Sequence, residues 1–310
     1  MAVMRAVVQD ELGGPEVLHL AEVERPEPGP TEVLVRVHAA GVNPTDWKSR
    51  ESGGLTGLKP PFILGWDVSG TVEAVGAGVR LYAPGDEVYG MPRFPHQAGG
   101  YGQYVTAPAR HFDFKPESLT HVEAAAVPLT GLTAYQALVD NAGVREGQRV
   151  LVHAAAGGVG HLAVQIAKAR GAYVIGTASE AKHGFLRSIG IDEAIDYRAV
   201  DFAETLSDID IVVDPIGGEY AAKSASVLKD GGHLMSVIPG DLPDSERARL
   251  NTGFVLVEPD WSGMRALSAL VNEGKLRPTV SETYSLEEVA KAHESLQTGR
   301  TTGKIVLTVD

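Results

Sequence analysis

The sequence predicts an α/β chain of two domains, a doubly wound parallel sheet and a second, mostly β domain that is discontinuous in sequence. Three observations carry this prediction. Residues 149–179 have the order strand, glycine turn, helix, strand; strands and helices keep alternating after them; and the first third of the chain is strand-like and rich in turns. At 310 residues the chain exceeds one average domain, so two domains are expected.

Turn sequences divide the first third of the chain into short predicted strands. Proline and glycine in GGPE and RPEPGPTE fix or permit the backbone angles of tight turns. The predicted strands are 4–8, 17–22, 32–40, 68–75, 87–89 and 101–105. From 124 to 140 the apolar residues recur at helical spacing, which carries the chain into the second domain.

The stretch that follows has the order of a dinucleotide-binding βαβ unit. Residues 150–152 are apolar and β-rich, and are predicted to form a short buried strand. A glycine cluster comes next, and apolar residues at helical spacing then run to Gly171, which ends the helix. The second strand is predicted at 173–177.

The glycine cluster suits the binding of a pyrophosphate. Gly157 has no Cβ, so the anion can approach the backbone, and the helix that begins near Gly158 aims free N–H groups at it. Gly160 lets the helix and the strand pack closely. Ala155 stands at the first glycine position of the fingerprint, so the motif is imperfect, but its strand and helix context favours a nucleotide site over a structural turn.

The end of the second strand predicts NADP rather than NAD. An acid there would accept from the ribose 2′-hydroxyl and would repel a 2′-phosphate, which needs cations or hydroxyls. The strand instead ends at Ala178 and Ser179, with Lys182 close behind. Glu180 lies about 20 residues after the fingerprint, where an acid is expected. Because it follows the end of the strand, we expect it to face solvent in the first turn of a helix.

Strands and helices alternate through the rest of the chain, as a parallel doubly wound sheet requires. The predicted strands are 194–197, 209–213, 233–238 and 254–257, and the predicted helices are 182–189, 219–228, 263–273 and 286–297. A last strand at 304–309 is expected to return to the first domain. The predicted β-rich domain therefore comprises 1–123 and 258–310, and the nucleotide-binding domain comprises 124–257.

Composition excludes several classes of function. Hydrophobic content of 44% and charged content of 22% are those of a globular protein, and no apolar run reaches the ~18 residues that span a bilayer. The net charge of −13 argues against nucleic acids and anionic membranes as partners. The lack of cysteine excludes disulfides and thiolate metal sites. Because the N-terminus does not resemble a signal peptide, we expect a cytoplasmic protein.

A set of eight segments extends over nearly the whole chain: MRAVVQDELGGPEVL, AAGVNPTDWKSR, LGWDVSGTVEAVG, PGDEVYG, GGYGQYV, PLTGLTAYQAL, VHAAAGGVG and GRTTGKIVL. In these segments the chain resembles the medium-chain dehydrogenase/reductase superfamily, and most closely its zinc-free quinone oxidoreductase branch. The resemblance implies a Rossmann domain that binds NADPH and a GroES-like catalytic domain. It also implies a homodimer joined along the sixth strand, from Phe254 to Val257.

The resemblance excludes the zinc alcohol dehydrogenases of the same superfamily. Where they carry Cys, His and Cys around the catalytic metal, this chain has Asn43, Trp66 and Leu129. Their four-cysteine structural lobe is missing too. Without a Lewis acid to hold an alkoxide, the remaining chemistry is hydride transfer from NADPH to a polarised acceptor, either a quinone or an α,β-unsaturated carbonyl.

The resemblance also implies which residues contact the cofactor. The glycine turn would hold the pyrophosphate, the ends of the second and third strands the 2′-phosphate, and residues near the fifth and sixth strands the nicotinamide. In chain order the implied residues are Thr130, Ala156, Gly157, Gly158, Val159, Ser179, Lys182, Tyr197, Ile238, Phe254, Val255 and Leu256. Arg300 or Lys304 would reach the cofactor from the tail.

Four residues are candidates for the chemistry, each with a structural alternative. Asn43 offers a donor to the developing oxyanion, or it only forms a turn. Asp46 lies near the hydride path, or it caps the next helix. Trp66 forms a flat wall of the pocket, or it belongs to the core. The branch often has a tyrosine after NPxD; here Lys48 follows without one, so the proton donor is Lys48 or solvent.

The sequence thus predicts an NADPH-dependent, zinc-independent reductase of quinones or α,β-unsaturated carbonyls. Within the enzyme class, the alternative is an enoyl reductase acting on a thioester or a natural-product intermediate. From another class, the alternative is an NADPH-binding redox sensor without significant turnover; the net charge of −13 disfavours RNA binding. His153, just before the glycines, is predicted to be structural rather than catalytic.

Overall fold

The computed structural model describes residues 2–238 and 241–309. The strands are β1 Val3–Gln9, β2 Leu18–Glu24, β3 Glu32–Val42, β4 Phe62–Ile63, β5 Asp67–Val75, β6 Glu87–Gly90, β7 Tyr104–Pro108, β8 Phe112–Phe114, β9 Arg149–Val152, β10 Tyr173–Ala178, β11 Glu193–Asp196, β12 Ile209–Asp214, β13 Leu228–Ser236, β14 Asn251–Phe254, β15 Val280–Ser285 and β16 Lys304–Thr308.

The α-helices are α1 Pro44–Ser52, α2 His121–Ala125, α3 Pro128–Tyr135, α4 Gly158–Ala169, α5 His183–Ser188, α6 Phe202–Thr205, α7 Tyr220–Val227, α8 Asp244–Arg249, α9 Trp261–Asn272 and α10 Val289–Gln297. Short 3₁₀ helices lie at Pro15–Val17, Gly54–Thr56, Ala109–His111, Glu180–Lys182 and Leu286–Glu288, and a π-helix, Gln136–Asn141, follows α3. None of the described helices has the length and apolar character needed to cross a membrane.

The chain divides into two compact units. The first comprises Met1–Leu129, Glu258–Asn272 and Pro278–Asp310, and the second comprises Thr130–Val257 and Glu273–Arg277. The sequence placed the first boundary at residue 123, which lies inside α2, whereas the units divide within α3. The segment Glu273–Arg277, which was predicted to belong to the β-rich domain, is part of the second unit.

The second unit is built around a six-stranded parallel sheet in the order β11-β10-β9-β12-β13-β14. The central strands are runs of aliphatic residues because helices cover both faces of such a sheet. One apolar core includes Leu151, Phe202, Val212 and Leu234. The strand order reverses between β9 and β12, and an open α/β sheet binds its ligand at the carboxyl ends of the strands at such a point.

The first unit contains a seven-stranded mixed sheet and a separate three-stranded sheet. Strand β3 is central to the larger sheet, since it pairs with β5, β7 and β16. In the β16 ladder Ile305 lies opposite Val42, so the tail returns to this sheet as the sequence predicted. This register brings Lys304 to the end of β3, where α1 begins.

Helix α1 was not assigned from periodicity because its sequence, PTDWKSRES, has no apolar stripe. Its ends carry the signals instead. Asn43 is the extended N-cap, Pro44 occupies the first turn, and Gly53 ends the helix in the left-handed region at φ +82°. The Asp46 carboxylate accepts the Asn43 backbone N–H at 2.6 Å, so the predicted capping role of Asp46 is confirmed.

Two predicted strands have different bounds in the structure. The sixth parallel strand was predicted at 254–257, but β14 is Asn251–Phe254, because the ladder with β13 runs from Asn251 to Phe254 and ends there. The strand predicted at 101–105 begins instead at Tyr104, after a turn in which Gly99 has a φ of +85°. Strand β15 was missed, since its sequence VSETYS is mostly polar.

Candidate active site

A glycine turn follows β9 in the second unit and leads into α4. Ala154 begins the turn with a φ of +45°, and the Ala155 N–H donates to the Thr177 carbonyl at 3.0 Å, which ties the turn to β10. A Cβ on Gly160 would lie 2.3 Å from the Ala154 carbonyl oxygen and 2.7 Å from the Ala155 Cα. Only glycine fits at this position, which confirms the close-packing role predicted for Gly160.

The start of α4 presents backbone donors to the open side of the turn. Gly157 is the N-cap, and a Cβ there would meet one atom within 4 Å, the Ala154 carbonyl oxygen at 3.2 Å. The N–H groups of Gly158 and Val159 lie in the first helical turn, where no intrahelical acceptor exists and the helix dipole is positive. Ala156, just before the N-cap, is buried. This cradle fits the pyrophosphate of a dinucleotide.

The end of β10 is where the sequence predicted the binding of a phosphorylated ribose, and this role stays a prediction. Ser179 is the N-cap of the 3₁₀ helix Glu180–Lys182, and Glu180 is exposed in its first turn, as expected. The neighbouring strand does carry an acid, since Asp196 is the register partner of Ala178. The Asp196 carboxylate accepts the backbone N–H of Arg198 at 3.1 Å and so caps its own turn.

Two cations lie near each other at this strand end. Lys182 is half-buried, and its pKa is lowered first by burial and then by the positive charge of Arg198. Two like charges held close together favour an anion between them. The guanidinium of Arg198 also lies 5.6 Å from the centre of the Tyr197 ring. Sequence reasoning missed Arg198, although it directly follows Tyr197 in the segment IDYR.

A cavity of about 230 Å³ opens beside Tyr197. Its lining includes Arg198, Tyr220 and Lys223, and the Tyr197 side chain is 46% exposed. Lys223 is already paired with Asp201. Two tyrosine rings next to a cationic edge can pack against a flat group that carries a phosphate, such as an adenosine phosphate.

The residues expected at the nicotinamide differ in exposure. Thr130 and Val255 are buried, whereas Phe254 is 47% and Leu256 43% exposed. Ile238 is half-buried after β13, and its Cβ lies 2.8 Å from where a Cβ on Gly217 would stand. Their cofactor contacts stay predictions.

His153 is a structural residue, as predicted. Its Nδ1 pairs with the Thr177 hydroxyl at 3.1 Å and its Nε2 with the Ser224 hydroxyl at 3.0 Å. Burial lowers the pKa of His153 to about 3, so the ring is neutral at physiological pH. Hydroxyls satisfy both ring nitrogens, and neither nitrogen is left for acid–base chemistry.

In the first unit, Asn43, Asp67 and Lys304 form a buried network. The Lys304 ammonium donates to the Asn43 side-chain oxygen, to the Asp67 carboxylate at 3.2 Å and to the Val42 carbonyl at 3.0 Å. The Asn43 amide donates in turn to Asp67 at 2.8 Å. All three residues are at most 2% exposed. The ammonium fixes the amide orientation, because the amide oxygen must face a cation that only donates.

This network corrects the prediction that Lys304 reaches the cofactor. An ammonium has three N–H donors, and all three are used inside the first unit. Arg300, the other candidate from the tail, is exposed. Asn43 is the N-cap of α1 and also belongs to this charged network, so it does more than form a turn.

Asp67 contacts two of the three positions that were compared with the zinc ligands of the alcohol dehydrogenases, Asn43 and Leu129. Its carboxylate accepts the Leu129 backbone N–H at 2.6 Å as well as the Asn43 amide. Burial raises the pKa of Asp67, and the Lys304 charge opposes this shift. Sequence reasoning missed Asp67; the available signal was an acid at the start of the apolar strand in LGWDVSG.

Asp46 and Tyr101 lie beside this network. Burial raises the pKa of Asp46 to about 7, the Asn43 N–H opposes the shift, and the Asp67 charge adds to it. The Tyr101 hydroxyl is close enough to Asp46 to interact with its charge, but neither this hydroxyl nor Asp46 Oδ1 has a partner of standard hydrogen-bond geometry among the described residues. Tyr101 was not singled out from the sequence, because it lies far from NPTD along the chain.

The other two chemical candidates occupy different environments. Trp66 is 2% exposed, donates its indole N–H to the His96 carbonyl at 2.8 Å and packs edge-on against Phe94. It is therefore a core residue of the first unit, in agreement with the structural alternative. Lys48 is exposed, with its ammonium 5.6 Å from the centre of the Trp47 ring. Its position leaves a role as proton donor a prediction.

The described side chains do not resemble a metal centre. Within 2–238 and 241–309 no group of three or more His, Asp or Glu could hold a metal ion. At the three positions compared with zinc ligands, the amide of Asn43 is committed to Asp67 and Lys304, Trp66 donates from its indole, and Leu129 has no ligand atom in its side chain. This donor set does not fit a catalytic zinc ion.

Two family models match the chain. The model described as "Alcohol dehydrogenase GroES-like domain" matches residues 29–117. The model described as "Zinc-binding dehydrogenase" matches residues 189–307. The two matched ranges together include residues of both compact units.

Sequence relatives extend over nearly the full chain. The human quinone oxidoreductase is 35% identical over 98% of this chain and 97% of its own length. The 2-methylene-furan-3-one reductase of Solanum lycopersicum is 34% identical over 98% of this chain and 79% of its own.

Solved structures agree in fold. The quinone oxidoreductase from Coxiella burnetii matches with a TM-score of 0.92 at 37% identity, covering 100% of both chains. A structure described as an NAD-dependent alcohol dehydrogenase matches with a TM-score of 0.89 at 37% identity, covering 99% of this chain and 100% of its own. The relatives thus include proteins named for different substrates, and one of them is named for NAD.

Proposed function

This chain belongs to the medium-chain dehydrogenase/reductase superfamily, in its zinc-free quinone oxidoreductase branch, and on that premise we propose that it is an NADPH-dependent reductase of quinones or α,β-unsaturated carbonyls that works without a metal. The observation that carries the proposal is the pair of cations at the ends of β10 and β11, beside the glycine cradle of α4. Membership of the superfamily implies a nicotinamide cofactor; the choice of NADPH rests on this pair.

The second unit would hold the cofactor through two anion sites. The N–H groups of Gly158 and Val159 would bind the pyrophosphate, and Gly157 keeps that side of the turn open. Lys182 and Arg198 would bind the 2′-phosphate, whose negative charge would offset the repulsion between the two cations. When bound, NADPH supplies the hydride. The protein supplies orientation and electrostatics.

The first unit limits the choice of reaction. Positions 43, 66 and 129 offer no zinc ligand set, so an unactivated alcohol would have no Lewis acid to lower the pKa of its hydroxyl. A quinone or an enone needs no such activation, because its carbonyl already draws electrons from the carbon that accepts hydride. Asp67 balances the Lys304 charge, so this ion pair adds no net negative charge that would oppose the one developing on the acceptor oxygen.

The alternatives from the same class differ mainly in the acceptor. The resemblance to a 2-methylene-furan-3-one reductase favours a conjugated enone as a natural acceptor beside quinones. An enoyl reductase acting on a thioester or a natural-product intermediate uses the same hydride geometry. A redox sensor that binds NADPH without turnover is the alternative from another class.

The test is oxidation of NADPH by the purified, metal-stripped protein with a panel of quinones, conjugated enones and an enoyl thioester. We expect turnover with at least one quinone or enone and no loss of activity in the presence of a chelator. The ranking of acceptors separates the quinone, enone and thioester reactions. Tight NADPH binding without reduction of any acceptor would favour the sensor, and activity that returns only with added zinc would contradict the proposal.

The cofactor choice leads to a charge-removal prediction. Replacing Lys182 with alanine should raise the KM for NADPH by roughly 10–150-fold, since a hydrogen bond between charged groups contributes about 1.5–3 kcal/mol. The KM for NADH should change little, because NADH has no 2′-phosphate. The matched control is Arg187→Ala, which removes an exposed cation from the last turn of α5. Equal losses for both cofactors would contradict a 2′-phosphate site.

The proposed assembly is a homodimer through the free edge of the second unit's sheet. Strand β14 is an edge strand of that sheet, and its last residue, Phe254, and Leu256 just after it are exposed. Antiparallel pairing of two such edges would cover exposed backbone groups and both apolar side chains. Sedimentation velocity should therefore give a dimer, and Phe254→Asp should shift it toward the monomer. A parent protein that sediments as a monomer at micromolar concentration would rule this edge out.

A further inference from the structure

We propose that Asp46 is a positioning residue whose carboxyl is neutral in the working protein, so that the buried cluster of Asp46, Asp67 and Lys304 carries no net charge. This inference rests on the proposed reductase function and deepens it. A neutral Asp46 adds no negative charge near an acceptor that becomes negatively charged during the reaction.

The geometry sets two acids against one cation. Lys304 donates to Asp67 at 3.2 Å, and Asp67 also accepts from Asn43 and from the Leu129 backbone. Asp46 is fully buried with no cation among its hydrogen-bond partners in the described chain; its Oδ2 accepts the Asn43 N–H at 2.6 Å. A buried carboxylate without a counter-ion is costly, so it takes up a proton more readily than its paired neighbour does.

The proton belongs on Asp46 Oδ1. The other oxygen, Oδ2, is held by a backbone donor, whereas Oδ1 has no partner of standard geometry in the described chain and faces the Tyr101 hydroxyl, which also has none. The charged and titratable groups that face Asp46 are Asp67 on β5, Lys304 on β16 and the Tyr101 phenol. The raised pKa of Asp46, about 7, agrees with this placement.

The charge of the cluster bears on the reaction. When the hydride bonds to the acceptor carbon, the π electrons of the acceptor move to its oxygen, which becomes negatively charged. Water then supplies the proton that completes the reduction. A neutral cluster leaves the Lys304 charge balanced by Asp67 alone. Ionised Asp46 would add one negative charge beside Asn43 and oppose the developing oxyanion.

A pH profile tests the proposal in turnover. In the parent, kcat/KM with the best acceptor should fall by about tenfold to a lower plateau as Asp46 ionises, with the limb beginning near neutral pH. Asp46→Asn keeps an acceptor for the Asn43 N–H but cannot ionise, so this limb should disappear. Tyr101→Phe removes a hydroxyl that stabilises the ionised form, so the limb should move to higher pH. The matched controls, Asp113→Asn and Tyr89→Phe, alter a second buried acid and tyrosine, which hydrogen-bond to Ser268.

A stability readout tests the same proton without cofactor or acceptor. The folded-state pKa of Asp46 is raised from its ordinary value of 3.8 to about 7. The free energy of unfolding of the parent should therefore fall as pH rises from about 4 to about 7, and Asp46 should cause no further fall above pH 7. Asp46→Asn should lack this loss. The difference in urea midpoint between the variant and the parent should therefore grow from pH 4 to pH 8.

The outcomes separate this inference from the proposed function. A midpoint difference that is constant with pH, or an alkaline limb that survives in Asp46→Asn, overturns the inference. The expected stability change without reduction of any acceptor supports the neutral acid and instead removes the proposed function. Equal shifts in Asp113→Asn would show a general effect of altering a buried acid and would also overturn the inference.

Discussion

Replacing Gly160 with alanine should both destabilise the second unit and weaken cofactor binding. The new Cβ would lie 2.3 Å from the Ala154 carbonyl oxygen and 2.7 Å from the Ala155 Cα, and both atoms belong to backbone that cannot rotate away. The start of α4 must therefore move relative to β9. We expect a loss of about 3 kcal/mol in the free energy of unfolding, at the upper end for overpacking, measured by urea denaturation.

The same displacement should reach the cofactor, because the N–H groups of Gly158 and Val159 begin the helix that moves. A loss of about 2–3 kcal/mol in binding corresponds to a dissociation constant roughly 30–150-fold higher. A titration of NADPH with the folded variant, followed by nucleotide fluorescence, would measure this dissociation constant.

Two further glycines separate folding from binding. Gly157→Ala adds a Cβ that meets only the Ala154 carbonyl, at 3.2 Å, so it should spare stability while its methyl group occupies the approach of the pyrophosphate. Gly184→Ala in α5 meets nothing within 4 Å and should stabilise the helix slightly, by about 0.5–1 kcal/mol. If Gly160→Ala were as stable as Gly184→Ala, the close contact between α4 and the turn would be refuted.

The sequence predicted the features whose signals are local. The glycine turn, the apolar strand before it and Lys182 after β10 lie within one short stretch, and a steric or charge argument applies to each residue on its own. Glu180 illustrates this, since its place after the end of the strand was enough to predict exposure. Arg198 required one more step, namely the knowledge that β11 lies beside β10.

The network in the first unit could not be predicted in this way. Lys304 and Asn43 are 261 residues apart in sequence, and Lys304 and Asp67 are 237 apart. Their contact depends on the antiparallel register of β16 on β3, which a hydrophobic pattern does not fix to one residue. The same limit applies to Asp46 and Tyr101, which approach each other only once the loop before β7 is placed. A lysine in an apolar strand was the available signal, and it was interpreted as a cofactor ligand instead.

Lys304→Met should be the most destabilising single change in the first unit. The variant keeps the length of the side chain but leaves Asp67 without its counter-ion and Asn43 and Val42 without their donor. Removing one partner of a buried ion pair costs about 3–5 kcal/mol, because the remaining charge stays in a medium that solvates it poorly. Urea denaturation at neutral pH measures this loss.

The loss should depend on pH, and its sign follows from Asp67. The Lys304 charge opposes the burial that raises the pKa of Asp67, so without Lys304 this pKa rises further. An acid whose pKa is higher in the folded state than in the unfolded state loses stability as pH rises between the two values. Lys304→Met should therefore be closer to the parent at pH 5 than at pH 8.

A double variant and a surface control decide whether burial of the charge is the cause. Asp67→Asn combined with Lys304→Met removes both charges and should recover much of the stability that the single change loses at pH 8, since no ion is left unpaired. Lys223→Met removes a lysine of α7 whose side chain is 51% exposed and paired with Asp201, so the urea midpoint of this variant should match that of the parent. A Lys304→Met protein that is as stable as Lys223→Met at pH 8 would mean that the buried network contributes no net stability, and the role of Lys304 in fixing the Asn43 amide would have to be abandoned with it.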